Sequence, residues 1–454
     1  MFKLTNFVIF ALMIMCGTGF AQDNHYWTNQ YGTKSHLLGG AVVGKVLDLS
    51  STYYNPGWLA FSKKTEVLQA ASVYNYPTVT LKDINGRSDK ELASSAFSQA
   101  PSLFAVSLNF KWLKNHKLAI SIISRHGIQL DNYGTEVDTY DWISNFPGEE
   151  DVYLNLQLRE NLSDVWYGLT WAFKLSDKVA IGFTPYISSR THSTNYQTIT
   201  EALTTGGDFA FSLESREYDY WIVRALVKAG LALDFGKLAL GLTITTPSVK
   251  ITGKGTKGVN NTLVGQDVTG SGVNQTFFAS DYQENVPANY ITPFSVGIGF
   301  NYRLKNSSIF FSAEYFSRVG KYDVLETEPT VIQSTGAPVH YKTTHEMDHV
   351  FNFAIGLEHK FGKSFSGYLA FYTDKSAKKK DSDTNLTITD WDIYSIIAGT
   401  IFTFKRYNFT LGLGYSLGDK DWTRTADSSP SFLGEIREVT FKYSSLKMIL
   451  GFSF

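Results

Sequence analysis

The stretch from His345 to His349, HEMDH, has the spacing of a zinc-protease motif. In the H-E-x-x-H motif two histidines bind one zinc ion and the glutamate acts as general base. That chemistry needs a helix, in which residues four apart lie one turn apart on the same face. Here apolar and polar residues alternate from Val350 onward, which predicts a strand, where residues four apart are separated by about 13 Å. We therefore interpret the stretch as the beginning of a strand and not as a metal site.

A second motif, from Gly414 to Gly418, reads G-x-S-x-G. The nucleophile elbow of hydrolases requires a strand that turns sharply into a helix. This motif lies inside an uninterrupted alternating segment, so Ser416 is expected to face the small, polar side of a strand. A phospholipase built on a barrel is the enzyme alternative, but it would need a serine, a histidine and a polar partner, and the sequence offers no such set. The sequence predicts a protein that is not an enzyme and has no catalytic residue.

Asp381, Asp383 and Asn385 begin like a calcium-binding loop. Leu386 stands where that motif requires glycine, so a solvated polar loop is favoured over a weak ion site. The lysine run at 378–380 is interpreted as a solvated face, with contact to lipopolysaccharide phosphates as the alternative. No cofactor or metal is predicted.

Composition points to strands at an interface. The chain has 26 Tyr, 33 Phe and 37 Gly, and its charged fraction of 18% is below the roughly 25% of soluble domains. A formal net charge of −1 and the absence of a basic stripe with aromatics argue against a nucleic-acid partner. The single cysteine, Cys16, lies in the leader and rules out a disulfide framework in the mature chain.

The segment from Tyr407 to Gly418 defines the strand pattern. Aromatic residues stand near its ends, aliphatic residues lie between them, and small or polar residues occupy the alternate positions. Such a strand suits a bilayer, with lipid on one side and a wet lumen on the other, although a sandwich or propeller strand shares the alternation. The outward face is Tyr407, Phe409, Leu411, Leu413, Tyr415 and Leu417.

The pattern recurs along the chain and predicts an all-β fold, a transmembrane antiparallel β-barrel of about fourteen strands. Short connections alternate with long polar ones, such as 131–163 and 253–289, as expected for periplasmic turns and outer loops. Strand edges left unpaired in hydrocarbon are costly, so the sheet must close. The predicted strands are 64–80, 102–112, 117–130, 163–175, 178–197, 217–235, 237–252, 290–304, 307–323, 346–361, 364–375, 390–404, 407–419 and 437–454.

The two ends of the chain carry export signals. Residues 1–21 read as a secretory signal peptide with cleavage after Ala21, whereas lipid modification at Cys16 is the alternative. No later run reaches the roughly 18 apolar residues that a spanning helix requires. The chain ends on an aromatic residue, Phe454, as outer-membrane barrels commonly do, which by resemblance implies recognition by the barrel assembly machinery.

Residues 22–62 do not follow the strand pattern, and we expect them to form a plug, or hatch, inside the barrel of residues 63–454. This segment resembles the FadL family of outer-membrane transporters for long-chain fatty acids and other hydrophobic compounds. The resemblance rests on Gly39-Gly40-Ala41, on Asp48 before a Ser-Thr pair, and on Asn55-Pro56. Members commonly have alanine where this chain has Gly57. The resemblance implies that Gly39, Gly40, Asn55, Pro56 and Gly57 are hatch residues.

The resemblance also implies a function, a location and partners. It implies passive uptake of a hydrophobic small molecule across a Gram-negative outer membrane, with outer-membrane lipid and lipopolysaccharide as neighbours. A role as a protein-secretion shuttle or surface-attachment component is the alternative, because FadL-like barrels also serve these roles. A general polar pore is disfavoured by the plug.

The third predicted strand contains an irregularity. Leu118, Ile120 and Ile122 alternate, and then Ile123 breaks the phase before Arg125-His126-Gly127, as a β-bulge would require. The family has an inward kink in this strand that opens the wall to lipid, and Arg125, His126 and Gly127 are the candidates for it. An ordinary bulge near the rim is the alternative.

Overall fold

The structure is a computed structural model. It describes residues 24–46, 48–62, 67–69, 72–82, 91–95, 98–101, 103–108, 115–143, 146, 148–204, 206–267, 273–379, 390–404, 407–424 and 437–453. The signal peptide, the 381–385 loop and Phe454 lie outside these residues. Within them, no helix has the length and apolar character needed to cross a membrane.

Three short helical segments precede the strands: α1 (Thr33–Leu37), α2 (Ser51–Tyr54) and a 3-10 helix (Pro56–Phe61). The strands are β1 (Val67–Gln69), β2 (Ser72–Lys82), β3 (Glu91–Ser95), β4 (Ser98–Pro101), β5 (Leu103–Leu108), β6 (His116–Tyr140), β7 (Glu150–Lys174), β8 (Val179–Leu203), β9 (Phe209–Asp234), β10 (Leu238–Thr245), β11 (Val249–Gln266), β12 (Gln275–Pro287), β13 (Ser295–Arg303), β14 (Ser307–Phe316), β15 (Val319–Leu325), β16 (Thr330–Val331), β17 (Pro338–Val339), β18 (Thr343–Met347), β19 (Val350–Lys360), β20 (Phe365–Asp374), β21 (Ile393–Phe404), β22 (Tyr407–Arg424) and β23 (Arg437–Ser453).

The antiparallel ladder forms a closed ring in the described residues. The last strand, β23, pairs with β2 along its length, from Ser72 opposite Leu450 to Lys82 opposite Thr440. β1 and β2 share one register against β5, β4 and β3, so each of these two groups is one strand of the wall. The predicted barrel of fourteen strands is confirmed. Around the ring the fourteen wall strands are β1 with β2, then β3 to β5 together, then β6, β7, β8, β9, β10, β13, β14, β19, β20, β21, β22 and β23.

The two faces of the wall follow the predicted alternation. On β22 the outward residues Leu411, Leu413, Tyr415 and Leu417 are each at least half exposed, whereas inward Thr410 and Ser416 are buried. The same outward apolar band continues on β7 as Tyr167, Leu169 and Trp171. This wall buries its polar side and exposes its apolar side, the reverse of a soluble protein, as a barrel in lipid requires.

The predicted strand ends were wrong on one side of the barrel. β6, β7, β8 and β9 have 25 or 26 residues each, so the predicted loop at 131–163 is mostly strand. The predicted loop at 253–289 likewise contains most of β11 and β12, and the second wall strand begins at Glu91 and not at 102. The apolar alternation ends where the membrane ends, but backbone pairing continues into the polar region because it does not depend on apolar side chains.

On the opposite side of the barrel the strands are short. β13, β14, β19 and β20 have 9 to 11 residues, about the length that crosses a bilayer. Here the predicted strands 307–323 and 346–361 are too long, since β14 ends at Phe316 and β19 begins at Val350. The intervening residues form the small β15–β18 sheet. We call β6 to β9 with β11 and β12 the tall wall.

Candidate functional site

The N-terminal segment 24–62 fills the barrel lumen and is called the plug below. Tyr31, Leu37, Leu38 and Leu49 of the plug are fully buried, and they share one core cluster with inward side chains of the wall. The 3-10 helix, which Pro56 begins, packs against β7, β8 and β9, and α1 packs against β20 and β21. The plug therefore connects wall strands that are far apart around the ring.

Inward glycines of the wall form a seat for the plug. A Cβ atom at Gly241 of β10 would lie 1.9 Å from the carbonyl oxygen of Val43. One at Gly182 of β8 would lie 2.4 Å from the Pro56 backbone, and one at Gly412 of β22 would lie 2.5 Å from the side chain of Leu37. Distances under 3.0 Å exclude a side chain, so plug and wall meet almost backbone to backbone. The seat comprises Gly182, Gly230, Gly241, Gly299, Gly356, Gly399 and Gly412.

Asn55 fixes the plug to this seat. Its side chain is buried, and Oδ1 accepts a hydrogen bond from the backbone N–H of Gly57 at 3.1 Å. Nδ2 donates to the carbonyl oxygens of Val43 (3.1 Å) and of Leu231 on β9 (3.0 Å). One amide thus joins two parts of the plug to the wall. A Cβ atom at Gly57 would lie 3.0 Å from the backbone of β9, which is the reason that glycine fits here.

Gly39 and Gly40 have positive φ angles of 58° and 77°. The left-handed region costs an L side chain energy, and space is short as well. A Cβ atom would lie 2.9 Å from the Tyr372 ring at Gly39 and 2.1 Å from the Gln30 side chain at Gly40. Both glycines are required by the turn that follows α1.

The plug also meets an irregularity in β6. The register against β7 shifts between Ser124 and His126, which makes Arg125 the extra residue of a bulge. Its buried guanidinium donates to the carbonyl oxygen of Tyr26 and lies 5.4 Å from the Tyr53 ring and 5.7 Å from the Trp166 ring, measured to the centroids. Arg125 thus points into the lumen.

Gly127 lies at the other end of the bulge, on the outward face. It pairs with Ser163 of β7, whereas His126 pairs with the inward Asp164. The candidates Arg125, His126 and Gly127 are therefore adjacent in the wall but do not face the same side.

Plug side chains bind the backbone of the bulge. Asn29 Nδ2 lies 3.3 Å from the carbonyl oxygen of Arg125 and 3.5 Å from that of Ser124, and the Tyr31 hydroxyl donates to Ser124 at 3.3 Å. These contacts are longer than the mode of about 2.9 Å for such bonds. At the bulge the plug therefore meets the wall through the side chains of Asn29, Tyr31 and Arg125, whereas at the glycine seat it meets the wall at backbone distance.

The pairing of β5 with β6 reaches the bulge. It runs from Leu108 opposite Leu118 to Leu103 opposite Ile123, the residue before Ser124. β4 and β3 pair with β2 on their other side. The edge of β6 at Ser124 and Arg125 is where the plug's Asn29 and Tyr31 bind.

The outer end of the plug is held by Asp374 at the end of β20. Its carboxylate accepts the backbone N–H groups of Tyr26 (3.1 Å) and Trp27 (2.9 Å) and the hydroxyl of Thr28 (2.6 Å). The carbonyl oxygen of Asp374 lies 3.0 Å from Nδ1 of His25. The side chains of Asp374 and His25 are both fully buried.

Burial changes the titration of several plug groups. Desolvation lowers the pKa of His36 to about 4, so this imidazole is neutral near pH 7, and Nδ1 lies 3.2 Å from the carbonyl oxygen of Gly32. Desolvation also raises the pKa of Tyr53 and Tyr54 well above the ordinary range. Tyr54 remains a donor, to Oε1 of Gln30 at 2.7 Å. The plug is thus packed with neutral polar groups.

Neither enzyme-like motif lies on a helix, because the first runs from β18 into the connection to β19 and the second lies in β22. His345 is buried in β18, and His349 lies exposed between β18 and β19. Ser416 lies inside β22 and shares a 2.7 Å hydrogen bond with Ser395 of β21. Within the described residues no group of three or more His, Cys, Asp or Glu side chains is placed to hold a metal ion.

Sequence reasoning missed Asp374, Asn29 and Tyr31. Asp374 stands in an ordinary alternating strand, and only its position opposite the start of the plug distinguishes it. The glycine seat had a signal, because the glycines recur on the predicted lumen face, yet that face was interpreted as a lining for water.

Comparisons with solved structures agree with this architecture. A Pseudomonas aeruginosa FadL homologue matches with a TM-score of 0.58 and 11% identity over 94% of this chain and 99% of that one. The Pseudomonas putida toluene transporter TodX matches with a TM-score of 0.55 and 10% identity over 94% and 98%. No protein-family model and no curated protein matches the sequence. At this identity the likeness confirms the fold that the resemblance implied.

Proposed function

We propose that this chain, which has the fold of the FadL-type barrels, is an outer-membrane channel for passive uptake of hydrophobic small molecules. The observation that carries the proposal is the unequal closure of the barrel. Backbone contact fixes the plug on the glycine seat, whereas beside the β6 bulge the plug meets the wall through the side chains of Asn29, Tyr31 and Arg125. A molecule that passes the plug has its least obstructed exit at that bulge.

The side chains near the bulge suit an apolar cargo. Near the bulge, Trp166 and Tyr186 pack with ring centroids 5.2 Å apart, and with Leu226 and Phe316 of other wall strands they share one buried core cluster with the plug's Tyr53. A solved relative in fold, TodX, is described as a toluene transporter, which supports hydrophobic cargo in general. Long-chain fatty acids are the finer proposal and rest on the FadL resemblance.

The proposal places the barrel among outer-membrane lipid and lipopolysaccharide, with the terminal Phe454 as the signal for assembly. Lys375 and Lys379 lie beyond the outer end of β20, where lipopolysaccharide phosphates would be neighbours. Lys379 already forms a salt bridge with Glu346 at 2.8 Å, which partly neutralises its charge.

A second candidate is a protein-binding role at the cell surface. The tall wall favours it, because twelve or more residues of β7 extend beyond the apolar band and offer a polar outer face, including Asn155, Gln157 and Asn161. Transport does not require so large a surface.

Uptake measurements separate the two candidates. The protein is expressed in a Gram-negative strain that lacks its own hydrophobic-compound channel, and entry of labelled toluene and of labelled oleate is compared with an empty vector. Faster entry of either compound supports the channel. Entry at the vector rate, with folded protein present in the outer membrane, would rule it out.

A further inference from the structure

The end of the barrel that carries the short turns has a concentration of positive charge. Four short turns of the described chain, 175–178, 235–237, 304–306 and 361–364, join wall strands at this end. In outer-membrane barrels the short turns face the periplasm. In or beside these turns lie six exposed cationic side chains, which we call the rim cations: Lys178, Lys237, Arg303, Lys305, Lys360 and Lys363.

Neighbouring carboxylates do not neutralise the rim cations. Three carboxylates lie in these turns or within four residues of them, and each already has another lysine as its partner. The pairs are Asp177 with Lys174 (3.1 Å), Asp234 with Lys45 (3.1 Å) and Glu358 with Lys34 (3.0 Å). Within the part of the chain that the structure describes, no rim cation forms a salt bridge. The whole chain has a formal net charge of −1, so the excess of positive charge is a property of this end and not of the composition.

Each of the four turns also begins with a large apolar side chain that is about half exposed or more. These residues are Leu175 (55%), Phe235 (51%), Leu304 (47%) and Phe361 (66%). Each continues the outward alternation of the strand before it, as Phe361 does after Ile355 and Leu357. Aromatic and apolar side chains at the end of the outward apolar band suit the boundary between acyl chains and headgroups. All four turns therefore repeat one arrangement, an apolar side chain with one or two cations within three residues of it.

The four turns are spread around the barrel. They join β7 to β8, β9 to β10, β13 to β14 and β19 to β20, which are eight consecutive strands of the fourteen in the wall. A partner protein would contact one contiguous patch, whereas lipid surrounds a barrel on every side. Lysine and arginine stems can follow an apolar surface and place the charge among headgroups. This distribution favours a lipid partner over a protein.

We propose that the rim cations bind the phosphate groups of anionic phospholipids in the inner leaflet, while the apolar residues of the same turns insert among the acyl chains. Charge complementarity supports this choice, because lysine and arginine near a membrane surface attract anionic lipid. Lipopolysaccharide is a neighbour at the opposite end of the barrel, so its phosphates do not reach this rim. The inference depends on the outer-membrane fold and not on the identity of the cargo.

Lipid association measured in vesicles tests the proposal. The full mature protein is reconstituted in phosphatidylcholine, and spin-labelled phosphatidylglycerol is compared with spin-labelled phosphatidylcholine for association with the barrel surface. We expect the wild type to prefer phosphatidylglycerol at least about threefold. Replacement of all six rim cations by glutamine should bring the ratio close to about one. Raising the salt from about 0.05 to about 0.5 M should weaken the wild-type preference, because screening shortens the reach of exposed charges.

The matched control changes the same six positions and keeps their charge. In this variant the five lysines become arginine and Arg303 becomes lysine, so the preference for phosphatidylglycerol should persist. Equal loss of preference in the glutamine variant and in this control would show that charge is not the cause, and it would overturn the proposal. An unchanged preference in the glutamine variant would also overturn it.

A smaller variant keeps the test decisive should the sixfold glutamine variant fail to fold, as judged by heat-modifiable gel migration. Lys360→Gln/Lys363→Gln removes the cations of a single turn and should lower the preference by part of the full amount. A ratio equal to that of the wild type would contradict the proposal. Equal association of both lipids with the wild type would overturn it outright and would leave the positive charge for an acidic periplasmic protein.

Discussion

The plug is held in different ways at two regions of the wall, the glycine seat and the β6 bulge. On the seat side, glycines of β8, β10 and β22 let backbone and side chains approach within distances that exclude any added carbon. At the bulge, Asn29 and Tyr31 reach the β6 backbone through hydrogen bonds of 3.3 to 3.5 Å, and the Arg125 guanidinium donates to the carbonyl oxygen of Tyr26. The first kind of contact resists any displacement, whereas the second can exchange with water or a ligand. For the proposed channel, we expect opening at the bulge while the plug stays seated.

Gly241→Val should have the largest effect, because it attacks the seat. The new side chain would begin 1.9 Å from the carbonyl oxygen of Val43, so the plug cannot keep its position. We expect a loss of stability of about 3 kcal/mol or more and a large rise in ion conductance across planar bilayers. Gly414→Val is the control, since a Cβ atom at this inward position lies at least 3.2 Å from its neighbours, none of which belongs to the plug. Similar conductance in both variants would contradict the claim that the glycine seat holds the plug in place.

Asn55→Ala removes the amide that joins plug and wall. It leaves the buried carbonyl oxygens of Val43 and Leu231 without this donor, and we expect a loss of about 2 to 4 kcal/mol in thermal or denaturant unfolding. Asn195→Ala on β8, which removes an exposed 3.5 Å contact with Glu217, should change stability by less than about 0.5 kcal/mol. A small loss of stability in Asn55→Ala would show that the glycine seat holds the plug without this residue.

Acidification should loosen the seat through His36, which lies in α1. Its folded pKa of about 4 is below the ordinary 6.5, so the folded state disfavours the proton. The stability contributed by the neutral imidazole is full above about pH 6.5 and is lost as the pH falls toward 4, by about 3 kcal/mol in all. Unfolding midpoints measured across this range should fall more steeply for the wild type than for His36→Gln. If the unfolding midpoints of the wild type and His36→Gln fall equally with pH, His36 is not the cause of the acid destabilisation.

The double variant Asn29→Ala/Tyr31→Phe probes the bulge side. It removes only long side-chain hydrogen bonds, so the expected loss of stability is about 1 to 2 kcal/mol. Uptake of toluene should rise, because the wall beside Arg125 then has fewer contacts to break. Slower uptake with the barrel folded would mean that these side chains guide the cargo and do not hold the exit closed.

Gly127→Leu adds a side chain at a residue that pairs with Ser163 but is itself buried, so we expect the barrel to stay folded with a loss of stability of about 1 to 3 kcal/mol. We expect slower uptake, because the added side chain occupies the outer side of the bulge. Thr135→Leu, on the same outward face of β6 but higher, is the matched control for added bulk. Uptake equal to that of the wild type would place the exit elsewhere.

The sequence predicted the barrel because lipid and lumen impose a two-residue period on every strand. The hatch residues Asn55 and Pro56 came from the resemblance to the FadL family, and their role stays a prediction. It did not distinguish Gly412 from Gly414, which occupy equivalent positions in the same alternating segment. Only Gly412 meets Leu37 of the plug, since that contact depends on where a segment nearly 400 residues earlier comes to rest.

The height of the tall wall was missed for a related reason. The expected strand ends followed the apolar residues, and the polar outward positions of β7, such as Asn161 and Arg159, resemble a loop when read alone. Their pairing partners on β6 and β8 are equally polar. Backbone pairing that is not supported by an apolar face leaves little trace in a single sequence.

Because the strands rise to unequal heights, the barrel has two different sides in the plane of the membrane. On β7 the strand continues about 14 residues past the apolar band, which at the usual rise and tilt is roughly 30 Å of height, whereas β13 to β20 end near the lipid surface. For the proposed channel, a compound dissolved in the neighbouring lipid would meet the short strands on one side of the barrel. A compound arriving from the medium would meet the tall wall on the other side, so the two would reach the outer opening from opposite directions.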